Sequence, residues 1–252
     1  MSDTETLTTP PAVAPVTLPA GPSRAKPSRP TSGQGRPRSV SAPAAPDIYR
    51  VQSQCLQLGL SAFLGEKHSI RSLGFTSAVA GEGKTLLALL MSDTLATQAG
   101  RPVVLVDCNW AHPCVHKHFG LSATPGLAEW LRHECLLEAI CHRVDSNLTV
   151  VPAGVGDHDA IRLLGLLRQA GLTQTFGGAE SLLIVDLPSV TATAYGSLAL
   201  RVVDALLLVV RAGVTPSLLV AQTHDALDGL RVEGIVLNQV RSHLPRWLQR
   251  ML

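Results

Sequence analysis

The stretch "AVAGEGKT", residues 78 to 85, decides how the rest of the chain is read. It fits the phosphate-loop pattern G-x-x-x-x-G-K-[ST], with Ala78 in place of the first glycine. Gly81 and Gly83 let the backbone wrap so that its N–H groups converge on phosphate oxygens. A helix starting near Lys84 would aim its N-terminal dipole at the same point. Lys84 is expected to bridge the β- and γ-phosphates of a nucleotide, and Thr85 to offer its hydroxyl to Mg²⁺. The pattern carries weight only between a strand and a helix. "SLGFTS" (72 to 77) reads as that strand, and "KTLLALLMSDTLATQAG" (84 to 100) as that helix, with Gly100 as its C-cap.

Outward from the loop, short apolar runs recur: "PVVLVD" (102 to 107), "LTVVPA" (148 to 153), "SLLIVD" (181 to 186), "ALLLVV" (205 to 210) and "EGIVLN" (233 to 238). With no polar alternation they read as strands buried on both faces. Helix-length segments separate most of them, and "DIYRVQSQCLQLGLSAFL" from Asp47 spaces Tyr49, Leu56, Leu60 and Phe63 as a leading helix would. The fold expected is α/β, a doubly wound, mostly parallel sheet of the P-loop NTPase kind. Ligands of such sheets sit beyond the carboxyl ends of the strands. Two runs close there on acids, Asp107 and Asp186, and Asp186 stands where a Walker B carboxylate holds Mg²⁺.

The 252 residues suit one α/β domain with an appendage. Ten of the 17 prolines fall in residues 1 to 46, among Ala, Ser, Thr and Gly, which predicts a disordered tail. That tail holds Arg24, Lys26, Arg29, Arg36 and Arg38 against Asp3 and Glu5, leaving 16 basic and 17 acidic residues from 47 onward. The body is near neutral, so nothing calls for nucleic acid as a partner. No N-terminal segment resembles a signal peptide, and "ALLLVV" is far short of the ~20 residues of a membrane helix. Five cysteines at irregular spacings (Cys55, Cys108, Cys114, Cys135, Cys141) agree with a reducing compartment. The expected location is cytoplasmic.

Taken together, these motifs resemble the bacterial tyrosine kinases of capsule and exopolysaccharide synthesis, within the deviant-Walker group that includes the ParA/MinD ATPases. "FTSAVAGEGKT" resembles that family's first loop and "VVLVDCNWAHPCVHKHFG" its second Walker-A-like segment. "LTVVPAG" resembles the next strand and loop, "LLIVDLPSV" its Walker B, and "DALLLVVRAGVT" and "GIVLNQV" its last two strands. The signature lysine of ParA/MinD loops would stand at Val79, which favours the kinase-like branch. The resemblance implies a domain over residues 47 to 240 that binds ATP and Mg²⁺. Ala80, Gly81, Glu82, Gly83, Lys84, Thr85 and Leu86 would hold the nucleotide, with Asn238 near the adenine. Lys84, Asp107 and Asp186 would be catalytic, and Thr85, Asp107 and Asp186 would serve the metal. It further implies a membrane-bound polysaccharide chain-length or export protein as partner, and homo-oligomers.

The chain departs from the family at Asn109 and Ala111, where Asp and Arg are usual, and at Leu187 and Ser189 beside Walker B. Its leading helix has Asp47, Arg50 and Ser53 in place of a Glu-x-x-Arg-x-x-Arg pattern, and Tyr49 and Tyr195 are its only tyrosines. Weak or absent autophosphorylation is therefore expected. A MinD/ParA-like membrane-associated ATPase and a nucleotide-bound scaffold without turnover are the alternatives. "CNWAHPCVHKHFG" (108 to 120) is rich in His and Cys but lacks the paired C-x₂-C spacing of a zinc site. Residues 241 to 252, "RSHLPRWLQRML", put Leu244, Trp247, Leu248, Met251 and Leu252 opposite Arg241, Arg246 and Arg250 if helical. That pattern suits a helix lying on the inner face of the plasma membrane, a helix packed on the domain, or a patch for a protein partner.

Overall fold

The computed structural model describes residues 46–65, 70–178 and 180–239. The tail expected over residues 1 to 46 (all but Pro46) and the amphipathic segment 241 to 252 lie outside the described residues. Seven strands form one sheet: β1 Ser72–Ser77, β2 Val103–Asp107, β3 His142–Arg143, β4 Leu148–Val151, β5 Leu182–Asp186, β6 Ala205–Arg211 and β7 Val232–Asn238. Their order is β3-β4-β2-β5-β1-β6-β7. Every pairing is parallel except that of β3 with β4. The six apolar runs are thus strands, as their sequence predicts. The antiparallel β3 is an addition that polar His142 and Arg143 did not announce.

Nine helices among the described residues connect and cover the strands: α1 Pro46–Leu64, α2 Lys84–Thr97, α3 Val115–His118, α4 Leu127–Leu131, α5 Leu137–Ile140, α6 Ala160–Ala170, α7 Leu172–Phe176, α8 Gly196–Ala199 and α9 Ser217–Ala226. The helix after the loop stops at Thr97, short of the expected Gly100. Gly100 instead bends the turn beyond it at φ +61°, and Arg101 N–H donates to Leu95 O at 3.1 Å.

Strand side chains alternate between two cores because successive residues point to opposite faces of a sheet. In β5, Leu182 and Ile184 join Phe63, Met91 and Leu95 of α1 and α2 on one face. Leu183 and Val185 join Leu131, Leu163 and Leu167 of α4 and α6 on the other. β5 is the middle strand, between β1 and β2, with one core on each face, so the carboxyl ends of these three strands lie side by side.

Candidate functional site: a phosphate loop facing two buried acids

β1 runs into the loop at Ser77, and the loop runs into α2 at Lys84. Gly81 and Gly83 take φ of +83° and +96°, the left-handed region that glycine enters without steric cost. At Gly83 a second reason applies, since a Cβ there would run into the Asn238 side-chain amide. Gly83 starts α2 with no capping side chain, which leaves the first N–H groups of a 14-residue helix facing the loop. The segment after β5 steadies the loop from behind. Val190 N–H donates to Ser77 O at 2.8 Å, the Thr191 hydroxyl to Ala78 O at 2.6 Å, and the Ser77 and Ser189 hydroxyls lie 3.0 Å apart.

Three of the sequence-predicted residues meet directly. Thr85 donates its hydroxyl to Asp186 Oδ2 at 2.7 Å, and Lys84 Nζ reaches Asp186 Oδ1 at 3.4 Å and Thr85 Oγ1 at 3.5 Å. Asp107 pairs in register with Asp186 across β2 and β5. Its carboxylate also organises its own loop, accepting from Asn109 N–H at 3.0 Å and from Cys114 and Val115 N–H at 3.2 Å each. Asn238 lies against the loop from the other side, donating from Nδ2 to Glu82 O at 2.8 Å. Ala80 and Leu86 are accessible, Leu86 at 53%.

Asp107 and Asp186 are fully buried and share one nearby cation, Lys84. Burial, then the charge of Asp186, pushes Asp107 up to about 7, against the pull of the Asn109 and Val115 N–H groups and of Lys84. Burial also raises Asp186, opposed by Lys84 and by the Thr85 hydroxyl. Two desolvated carboxylates beside one ammonium make an oxygen-rich, under-neutralised cluster. A hard divalent cation such as Mg²⁺ fits that donor set, and Thr85, Asp107 and Asp186 are the residues that could hold it. No group of three or more His, Cys, Asp or Glu able to hold a metal occurs among the described residues.

Beside the cluster is a cavity of about 300 Å³ lined by Gly81, Gly83, Lys84 and Thr85 on one side and by Asn109, His112, Cys114, Ser189 and Thr193 on the other. His112, Cys114 and Ser189 fall in stretches that resemble family motifs but are not among the expected site residues, and Thr193 lies outside any motif. The opposite wall is held rigidly: Trp110 Nε1–H donates to Ala153 O at 2.9 Å, and Ala111 N–H to the Tyr195 hydroxyl at 2.8 Å. The indole and phenol rings lie 6.2 Å apart.

No family model matches the chain. Among curated proteins, the chain is 30% identical over 139 residues to EpsB of Ralstonia nicotianae, which carries a tyrosine-protein kinase name, across 55% of this chain and 17% of that protein. The tyrosine-protein kinase YwqD of Bacillus subtilis is 28% identical over 179 residues, 70% of this chain and 75% of YwqD. The succinoglycan biosynthesis transport protein ExoP of Rhizobium meliloti is 31% identical over 180 residues, 67% of this chain and 22% of ExoP. The chain therefore spans about a fifth of EpsB or ExoP and most of YwqD. Among solved structures, the kinase domain of Escherichia coli tyrosine kinase Etk superposes with a TM-score of 0.69 at 23% identity, over 83% of this chain and 86% of that domain. MinD of Pyrococcus horikoshii, solved with Mg-ADP, gives 0.55 at 18% identity, over 72% and 76%. In sequence the chain is thus similar to proteins that carry tyrosine-protein kinase names, and its fold is the one that the Etk kinase domain shares with MinD.

Proposed function

We propose that the chain binds Mg-ATP at residues 80 to 86, with Asn238 toward the adenine, and acts as a phosphoryl transferase of the bacterial tyrosine-kinase type in exopolysaccharide or capsule synthesis. The observation that carries this reading is the convergence of Lys84 and Thr85 on Asp186, beside one cavity at the start of α2. With nucleotide bound, Lys84 exchanges its long contact with Asp186 for the β- and γ-phosphates, and the loop N–H groups receive phosphate oxygens. Thr85 and Asp186 would hold Mg²⁺, which would supply charge neutralisation at the phosphates. The acceptor hydroxyl oxygen bonds to the γ-phosphorus as the bond to the ADP oxygen breaks, and its proton passes to a carboxylate. Asp107, in register with Asp186 at the end of the neighbouring strand, is the carboxylate assigned to take it. The reading extends to a membrane-bound polysaccharide chain-length or export protein as partner, met at the cytoplasmic face, and to homo-oligomers; the name of ExoP, a succinoglycan biosynthesis transport protein, supports the link to polysaccharide transport. No helix among the described residues is long and apolar enough to cross a membrane.

The test is Mg-ATP binding, phosphate release and phosphotyrosine by mass spectrometry on the same protein, with Lys84→Ala as control. Lys84-dependent phosphotyrosine supports the kinase reading, and Lys84→Ala should weaken ATP binding at least tenfold. Phosphate release without phosphotyrosine supports a MinD-like ATPase, and tight binding with neither product supports a scaffold. Absence of ATP binding overturns all three.

A further inference from the structure

Between the two left-handed glycines of the loop stands an acid that phosphate binding does not require. Glu82 is 1% exposed, and its carboxylate points away from the phosphate side into the protein. Oε2 accepts from Val79 N–H at 2.9 Å, three residues back in the loop. Oε1 accepts from Arg211 N–H at 3.0 Å, at the end of β6, and from the Thr215 hydroxyl in the turn that follows. The backbone carbonyl of the same residue takes the Asn238 amide, and Ala212 N–H donates to Asn238 O at 2.9 Å. One residue therefore joins the phosphate loop to the carboxyl ends of β6 and β7. Glycines at 81 and 83 give the loop its curvature but no rigidity, since each opens backbone conformations to the free chain. Something outside the loop must fix its shape.

We propose that Glu82 is a positioning residue for nucleotide: its buried carboxylate braces the phosphate loop against the turn formed by residues 211 to 215, so that the phosphate side and the β7 side of the site move as one unit. This rests on the nucleotide reading of the loop. The side-chain chemistry is specific. Val79, Arg211 and Thr215 all present donors, and an ionised carboxylate is the group that accepts from every one. In Glu82→Gln an NH₂ must face either Val79 N–H or Arg211 N–H, which sets donor against donor. Aspartate is one methylene too short to span both.

The test uses the full chain with Mg-ATP and Mg-ADP as probes and compares wild type, Glu82→Gln, Thr215→Val, the double variant and Lys84→Ala. Glu82→Gln is expected to weaken both nucleotides at least tenfold while the ligand-free melting temperature moves little. Thr215→Val is expected to weaken them two- to threefold, and the double variant to match Glu82→Gln alone, because the hydroxyl acts through the carboxylate. Amide hydrogen exchange without nucleotide gives an independent reading: Glu82→Gln should speed exchange at Val79 and Arg211, and Lys84→Ala should leave both protected. Should the wild type bind no nucleotide, the nucleotide reading falls, and exchange alone decides whether the brace exists. Nucleotide affinity within twofold of wild type in Glu82→Gln, a double variant equal to the product of the singles, or unchanged exchange at Val79 and Arg211 each overturns the proposal. If Glu82→Gln does not fold, Thr215→Val decides by the same affinity and by exchange at Arg211.

Discussion

Asp107 and Asp186 differ in what engages them, although they end neighbouring strands in register. Asp186 faces the loop and meets Lys84 and Thr85, while Asp107 is held by backbone N–H groups of residues 109 to 115. A strand-ending Asp was legible in both cases. The division of labour was not, because it depends on how the 108 to 114 segment folds back. Asp107 also sets a pH dependence. Its folded value lies at about 7, above the ordinary 3.8, so the folded state binds the extra proton. Its contribution to stability is full below 3.8 and is lost as the pH rises through about 7. The ligand-free melting temperature should therefore fall across that interval, and Asp107→Asn should flatten the fall by several degrees on the order expected for a domain of this size. Melting curves from pH 4 to pH 8 check it, and equal slopes in both proteins would sink the assignment. Mg-nucleotide should also reduce the slope, since a cation at the cluster favours the ionised carboxylates.

At the scale of the element, the two loop glycines separate strain from collision. Gly81 has open space where a Cβ would project, so Gly81→Ala meets only the left-handed backbone penalty, about 1 kcal/mol. Gly83→Ala meets that penalty and the Asn238 amide as well. It should lower stability by about 2–3 kcal/mol and remove nucleotide binding, which denaturant unfolding and calorimetric titration would measure. If the two variants behaved alike, Asn238 would not be packed against the loop as described. The loop and its flanking β1 and α2 were readable because glycine, lysine and threonine are spaced by local geometry. The six apolar strands were readable because burial on both faces leaves a continuous apolar run. β3 was not, since His142 and Arg143 carry no such run. They pair only because the chain turns back through Asp145, where Val144 N–H donates to Leu148 O at 2.9 Å. Glu82 was legible only as a loop residue that would hold the nucleotide; its contacts to Arg211 and Thr215 were not, those partners lying 129 and 133 residues away.

Over the whole molecule, the two cores leave the tyrosines in opposite situations. Tyr195 is 4% exposed, burial pushes its phenol up to about 12, and its oxygen accepts Ala111 N–H. Tyr49, on α1, is 72% exposed. Any phosphotyrosine made on this chain by the folded protein should therefore map to Tyr49 and disappear in Tyr49→Phe, and label on Tyr195 would contradict the burial described. Because Tyr195 and Trp110 together pin the wall opposite the phosphate loop, the protein also contains its own lamp. Trp110 is 3% exposed, tethered through its indole to Ala153, and sits in the segment whose Asn109, His112 and Cys114 line the cavity. With Trp130 and Trp247 changed to Phe, the colour and brightness of its ultraviolet emission would follow each arrival and departure of nucleotide in real time, with no dye attached.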